Sequence, residues 1–150
     1  MARLAYVILS HGPAEPIIWL TELLLAADKT GHVVIHYDAK SPKPDFQRLQ
    51  EAFDESERAH LVPDRVVCGW GQFGLVDGVV RALRLIRQKD LPCDHVYLLS
   101  GSCLPVRPLA QLKRFLDQHP NLEFIEAEHS SWIVGGPRSE ERRVGKECRP

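Results

Sequence analysis

Residues 4–9 read Leu-Ala-Tyr-Val-Ile-Leu, residues 10–13 read Ser-His-Gly-Pro, and residues 17–27 read IIWLTELLLAA. The first run is short and almost wholly apolar, as a strand covered on both faces must be. Ser10-His11-Gly12-Pro13 stops it. Pro16 then opens a segment in which Ile17, Leu20, Leu24 and Ala27 recur at helical spacing, and proline is tolerated in a first helical turn. The same alternation continues along the chain. Val33 to Tyr37 (VVIHY) is a β-branched second strand ending at Asp38, and Phe46 to Phe53 is a polar helix with Phe46, Leu49 and Phe53 on one face. Arg65 to Cys68 reads as a weak third strand. Phe73 to Gln88 reads as a helix with a stripe of Leu75, Val76, Val79, Val80, Leu83 and Ile86. His95 to Leu99 is a fourth strand, Leu109 to Leu116 a helix, and Leu122 to Ile125 a fifth strand. Strand and helix in turn predict an open, mostly parallel α/β sheet with helices on both faces, joined by right-handed crossovers.

Length and composition agree. At 150 residues, 44% hydrophobic and 26% charged, the chain fits one globular domain. No apolar stretch approaches the roughly 20 residues of a membrane span. Arg3 leads straight into strand-like sequence rather than into a secretory leader, so the expected placement is cytoplasmic. The formal net charge is −1; residues 138–150 hold five basic and three acidic residues, leaving 14 basic against 17 acidic in the body. An acidic body excludes a nucleic-acid footprint, which needs clustered cations. Cys68, Cys93, Cys103 and Cys148, spaced by 25, 10 and 45 residues, match neither a zinc pattern nor a disulfide framework and read as buried thiols. The stretch RSEERRVGKECR resembles one that recurs at the ends of truncated, unrelated translated sequences. The expected organisation is therefore a cut-short domain over residues 1–137 and a non-native or disordered tail over 138–150.

Open parallel sheets bind ligands outside the carboxyl ends of their strands. The residues just past each strand are Ser10 and His11, then Asp38 and Lys40, then Gly69, Trp70 and Gly71, then Ser100, Gly101, Ser102 and Cys103, then Glu126 and Glu128. An acid, an aromatic, a cation and small residues on one rim suit a nucleotide carrying a sugar. Asp38 can accept from ribose or base, Trp70 can stack, and glycines admit close backbone approach. The turn SHGPAEP carries no dinucleotide fingerprint, and no phosphate-binding P-loop or G-x-S-x-G elbow occurs. Asp38-Ala39-Lys40 puts a lysine where a metal-binding acid-x-acid pair would have its second carboxylate, which favours a metal-free site. Other side chains read as structural. His36 suits a packed, hydrogen-bonded position, Trp19 a packed helix position, and Arg81, Arg84 and Arg87 a solvated helix face. Asp38 can alternatively pair with Lys40 or cap a turn, and Trp70 can plug the sheet edge.

In order, AYVILSH, VVIHYDAKS, WGQFGLVDGVVRAL, HVYLLSGSCLPVR and EFIE resemble the core-2/I-branching β-1,6-N-acetylglucosaminyltransferase family, which also contains the peptide O-xylosyltransferases. The resemblance runs from Leu4 to about Glu128 and suggests a bacterial-type member. It implies a GT-A-like fold and inverting, metal-independent transfer of a sugar, GlcNAc or xylose, from a UDP-sugar to an acceptor hydroxyl on a glycan. No other cofactor is implied. Polysaccharide assembly, with peripheral membrane association through a lipid-linked acceptor, would follow. Residue by residue, it sets Leu9, Ser10 and His11 against uridine, Asp38 at the nucleoside, Trp70 beside the donor and Glu126 at the acceptor sugar. Lys40, Gly71, Ser100 and Gly101 complete the expected donor rim. Cys103 stands where the family often has an acid, and Gly74 where serine is commoner. The family's catalytic base, a glutamate, and its diphosphate-binding cations belong further along than residue 137; Glu126 and Glu128 are the rim carboxylates left for the role of base. Two other functions remain open at this level: a nucleotide-binding module without turnover, and an α/β hydrolase-like enzyme using Ser100.

Overall fold

A computed structural model describes residues 2–120 and residue 122. The described domain holds four strands and four helices in strict alternation: β1 (Leu4–Ser10), α1 (Ala14–Ala27), β2 (His32–Tyr37), α2 (Lys43–Phe53), β3 (Ala59–Leu61), α3 (Gly74–Gln88), β4 (His95–Ser100) and α4 (Leu109–Gln118). The strands form one sheet in the order β3-β2-β1-β4, and every neighbouring pair is parallel. This is the α/β architecture that the alternation predicts. The fifth strand at Leu122 to Ile125 lies outside the described residues.

The two faces of β1 and β2 feed two separate cores. Leu4, Tyr6, Ile8, Val33 and Ile35 pack with α1, α2 and α4, through Ile17, Leu20, Leu24, Leu49, Phe53, Leu109 and Leu116. Ala5, Val7 and Val34 pack on the other side with Ala82, Leu85 and Ile86 of α3. Burial on both faces is why these strands are continuous apolar runs instead of alternating ones.

Five expectations are corrected. The third strand is Ala59–Leu61, paired to Val33, Val34 and Ile35, while residues 65–68 run past β2 outside the ladder. α1 starts at Ala14, before Pro16, and its first amide donates to Asp45 Oδ1 of α2 at 3.1 Å. Trp19 is 57% exposed, because helical spacing from the buried Ile17, Leu20 and Leu24 turns it to solvent. The buried face of α3 is Gly78, Ala82, Leu85 and Ile86, whereas Leu75, Val76 and Leu83 are exposed. Small residues face the sheet there because a Cβ on Gly78 would sit 3.0 Å from His36 Nδ1. Arg81 is also not simply solvated. Its Nε donates to Asp77 Oδ2 at 3.1 Å and its Nη1 pairs with Asp64.

The amino ends of the strands are closed by charge pairs. Lys113 Nζ reaches from α4 to Asp28 Oδ1 at 2.7 Å and Thr30 Oγ1 at 2.8 Å, and Tyr6 OH donates to Asp28 Oδ2 at 3.1 Å. Burial alone would push Asp28 up, but Lys113 and Thr30 outweigh it and hold the carboxyl below its ordinary range. Arg58 donates to the carbonyls of Leu25, Asp28 and Gly31. His32 and His60 stack at 5.8 Å between centroids, and burial pushes both down, His60 to about 4.

Candidate functional site

The parallel order puts the carboxyl ends of β2, β1 and β4 side by side, and backbone hydrogen bonds carry that alignment into the loops. Asp38 N–H donates to Ser10 O at 2.9 Å on one flank of β1, and Gly101 N–H donates to Leu9 O at 2.9 Å on the other. The loop from β3 joins the same rim, with Ala39 N–H donating to Val66 O at 3.0 Å. Asp38 and the Ser100–Gly101 turn therefore flank Leu9 and Ser10, with the loop carrying Trp70 beyond Asp38.

Each side chain there has a definite state. Asp38 is buried, and its Oδ1 accepts the Lys40 N–H at 2.8 Å, closing a turn of the Asx type. Asp38 forms no salt bridge among the described residues, and Lys40 meets it through its backbone with its side chain exposed. Ser10 is buried, and its hydroxyl is spent on His36 O at 3.3 Å, so as a hydroxyl donor it serves the sheet. Leu9 is half-buried and His11 exposed. Gly101 is needed where it stands, since a Cβ would come 2.9 Å from Ser10 Cβ. Gly71 takes a φ of 68°, which favours glycine. Trp70 beside it is 92% exposed, so it does not plug the sheet edge. Glu126 and Glu128 lie outside the described residues.

His36 has the packed role expected of it. It is fully buried, and its Nε2 accepts the Val66 N–H at 3.1 Å. That bond leaves the proton on Nδ1 and ties the β3–α3 loop to the sheet. Burial lowers the His36 pKa, Asp38 opposes, and Arg81 and Arg65 add to the lowering. Gly74, at the start of α3, is also structural. A Cβ there would lie 2.0 Å from Val67 O, so a serine could not replace it in this backbone.

Arg65 escaped the sequence reading. Its guanidinium carbon lies 3.7 Å over the Phe46 ring, which stacks on Tyr37 at 6.1 Å, and its Nη1 donates to Asp38 O at 3.3 Å. The only signal would have been a cation near a strand end; nothing local announces the aromatic shelf beneath it.

The hydrolase-like alternative loses ground. Ser100 Oγ contacts Cys103 Sγ at 3.4 Å and accepts the Ser102 N–H at 3.3 Å; among the described residues no imidazole activates it as a nucleophile. A cavity of about 410 Å³ lies away from Asp38, between α1, α4 and one face of β4. Its walls include Tyr6, Leu20, Leu24, Tyr97, Leu99, Cys103 and Phe115, with Arg107 as the charged lining residue, and Asp38, Lys40 and Ser100 are not among them.

A parallel sheet with helices on both faces and polar side chains at its carboxyl rim defines a class, an α/β domain consistent with a GT-A-like one. Residues 4–144 match the Core-2/I-Branching enzyme family, and the chain belongs to it. It is 28% identical over 127 residues to xylosyltransferase 1 of Homo sapiens and of Pan troglodytes. The same holds for xylosyltransferase 1 of Canis lupus familiaris. In each case 83% of this chain is covered, and it spans 13% of the relative. No described helix is long and apolar enough to cross a membrane.

Proposed function

We propose that this domain holds the nucleotide of a UDP-sugar at the β2–β1–β4 rim and serves as the donor half of an inverting glycosyltransferase. The observation that carries the reading is Asp38. A buried carboxylate with no ion-pair partner among the described residues, fixed at a strand's carboxyl end, keeps acceptor capacity that a ligand can use. Asp38 would accept from the ribose or the base, Trp70 would lie on a ring of the donor, and the Ser100–Gly101 turn would bound the site beyond β1. Xylose and GlcNAc are the sugars favoured, the first by the name of the relatives. A hydroxyl of a glycan is the acceptor.

Inverting transfer is a displacement at the anomeric carbon. It needs a base for the acceptor proton and positive charge against the leaving diphosphate. Lys40 is the rim cation best placed in sequence to supply such charge without a metal, because it occupies the second position of the acid-x-acid pattern. The test is titration of UDP, UDP-xylose and UDP-GlcNAc against the folded chain with EDTA present. Saturable binding supports the reading, and loss of binding on adding EDTA removes its metal-free part. No affinity for UDP removes the whole. Transfer of radiolabelled sugar by a longer version of the chain separates an enzyme from a binding module.

A further inference from the structure

We propose that Arg65 determines nucleobase specificity, working beside Asp38 to select uracil; this rests on the UDP-sugar reading above. The described domain has three half-buried arginines. Arg58 gives its guanidinium to three main-chain carbonyls, and Arg81 pairs with Asp77 and Asp64. Both are consumed by the fold. Arg65 makes a single hydrogen bond, from Nη1 to Asp38 O, and has no carboxylate partner among the described residues. One face of its planar group is fixed by Phe46. Four of its five N–H donors are left without an acceptor among the described residues.

Asp38 is in a matching condition. Its Oδ1 holds the Lys40 N–H, and among the described residues no cation pairs with the carboxylate. An unpaired acceptor and an unpaired donor group thus stand next to each other, each anchored by a different contact so that neither collapses onto the other. Together they present a donor–acceptor edge at the rim. Uracil offers the complement, an N3–H donor flanked by carbonyl acceptors. Cytosine offers an acceptor at N3 and an amine beside it, so both groups would meet their own kind. A site built to hydrogen-bond one pattern rejects the other because its buried polar groups go unpaired.

The experiment measures binding of UDP, CDP and uridine by the full chain and by its Arg65→Gln, Arg65→Lys and Phe46→Leu variants. The parent chain is expected to favour UDP over CDP by tenfold or more. Arg65→Gln should weaken UDP and uridine by a similar factor, of order tenfold, and bring the UDP-to-CDP ratio close to one. Arg65→Lys should fail to restore the ratio, since an ammonium lacks the planar fork. Phe46→Leu keeps the guanidinium but removes its shelf, so a partial fall in the ratio is expected even if Arg65→Gln folds poorly. Loss of UDP affinity with unchanged uridine affinity, or rescue by lysine, would make Arg65 a diphosphate counter-charge and overturn the assignment. Equal affinity of the parent for UDP and CDP also overturns it, leaving the functional reading intact. A parent that binds no UDP defeats both.

Discussion

The two ends of the sheet are built on opposite terms. At the amino end, Asp28, Lys113, Tyr6 and Thr30 satisfy one another inside the protein, and Arg58 is consumed by carbonyls. At the carboxyl end, Lys40 and Arg65 each meet Asp38 through a main-chain group, and among the described residues the three form no ion pair. The same residue types thus hold the fold together at one end and stay available at the other. Pairing state, more than residue type, tells the architectural end from the end proposed to hold the donor.

Substitutions can break this contrast. The largest effect is expected for Asp28→Ala, which strands the buried Lys113 ammonium and should cost about 3–5 kcal/mol, read from the midpoint of denaturant unfolding. Lys113→Met should cost less, since Tyr6 and Thr30 still donate to Asp28.

Acid should also act on the amino end. His60 titrates at about 4 in the fold against an ordinary 6.5, and His32 is lowered too, with Arg58 and Lys89 adding to burial. Below pH 6.5 the unfolded chain therefore takes up protons that the folded one refuses, so stability is full above 6.5 and falls steadily toward 4. The depressed Asp28 carboxyl adds a further loss in stronger acid. Thermal unfolding between pH 7 and 4.5 checks this, and His60→Phe should flatten the slope.

Rim substitutions should behave in reverse. Asp38→Asn keeps an acceptor for the Lys40 amide, so unfolding should move by under about 1 kcal/mol while UDP affinity falls tenfold or more in calorimetry. Trp70→Ala should leave stability within about 0.5 kcal/mol, as the ring is exposed, and weaken donor binding severalfold. An Asp38 variant that unfolds the domain, or an Asp28 variant that leaves it intact, would abolish the distinction between the two ends.

How far these features could be read without coordinates depended on how local their causes are. β1 and β2 were legible because burial on both faces writes an uninterrupted apolar run. β3 was not, since Ala59-His60-Leu61 is held by its ladder to β2 and carries little pattern of its own. The stripe on α3 misled because its face toward the sheet is built on Gly78, against His36, and Ala82, residues a hydrophobic pattern passes over. In the site, the positions of Asp38 and Gly101 followed from the strand ends alone. That the Ser10 hydroxyl is spent inside the sheet could not be read locally, because its partner, the His36 carbonyl, belongs to the neighbouring strand. Arg65 and Lys113 were invisible for a related reason: their states are set by Phe46 and Asp28, 19 and 85 residues away.

The turn after β1 is fastened from outside itself. Tyr37 OH donates to Gly12 O, Asp45 accepts the first amide of α1, and Arg48 pairs with Glu15. A wall braced at three points by β2 and α2 holds its shape before any ligand arrives. Nucleotide binding at this edge is therefore expected to order few residues, so its entropy change should be small and its association rate free of a slow loop-closing phase.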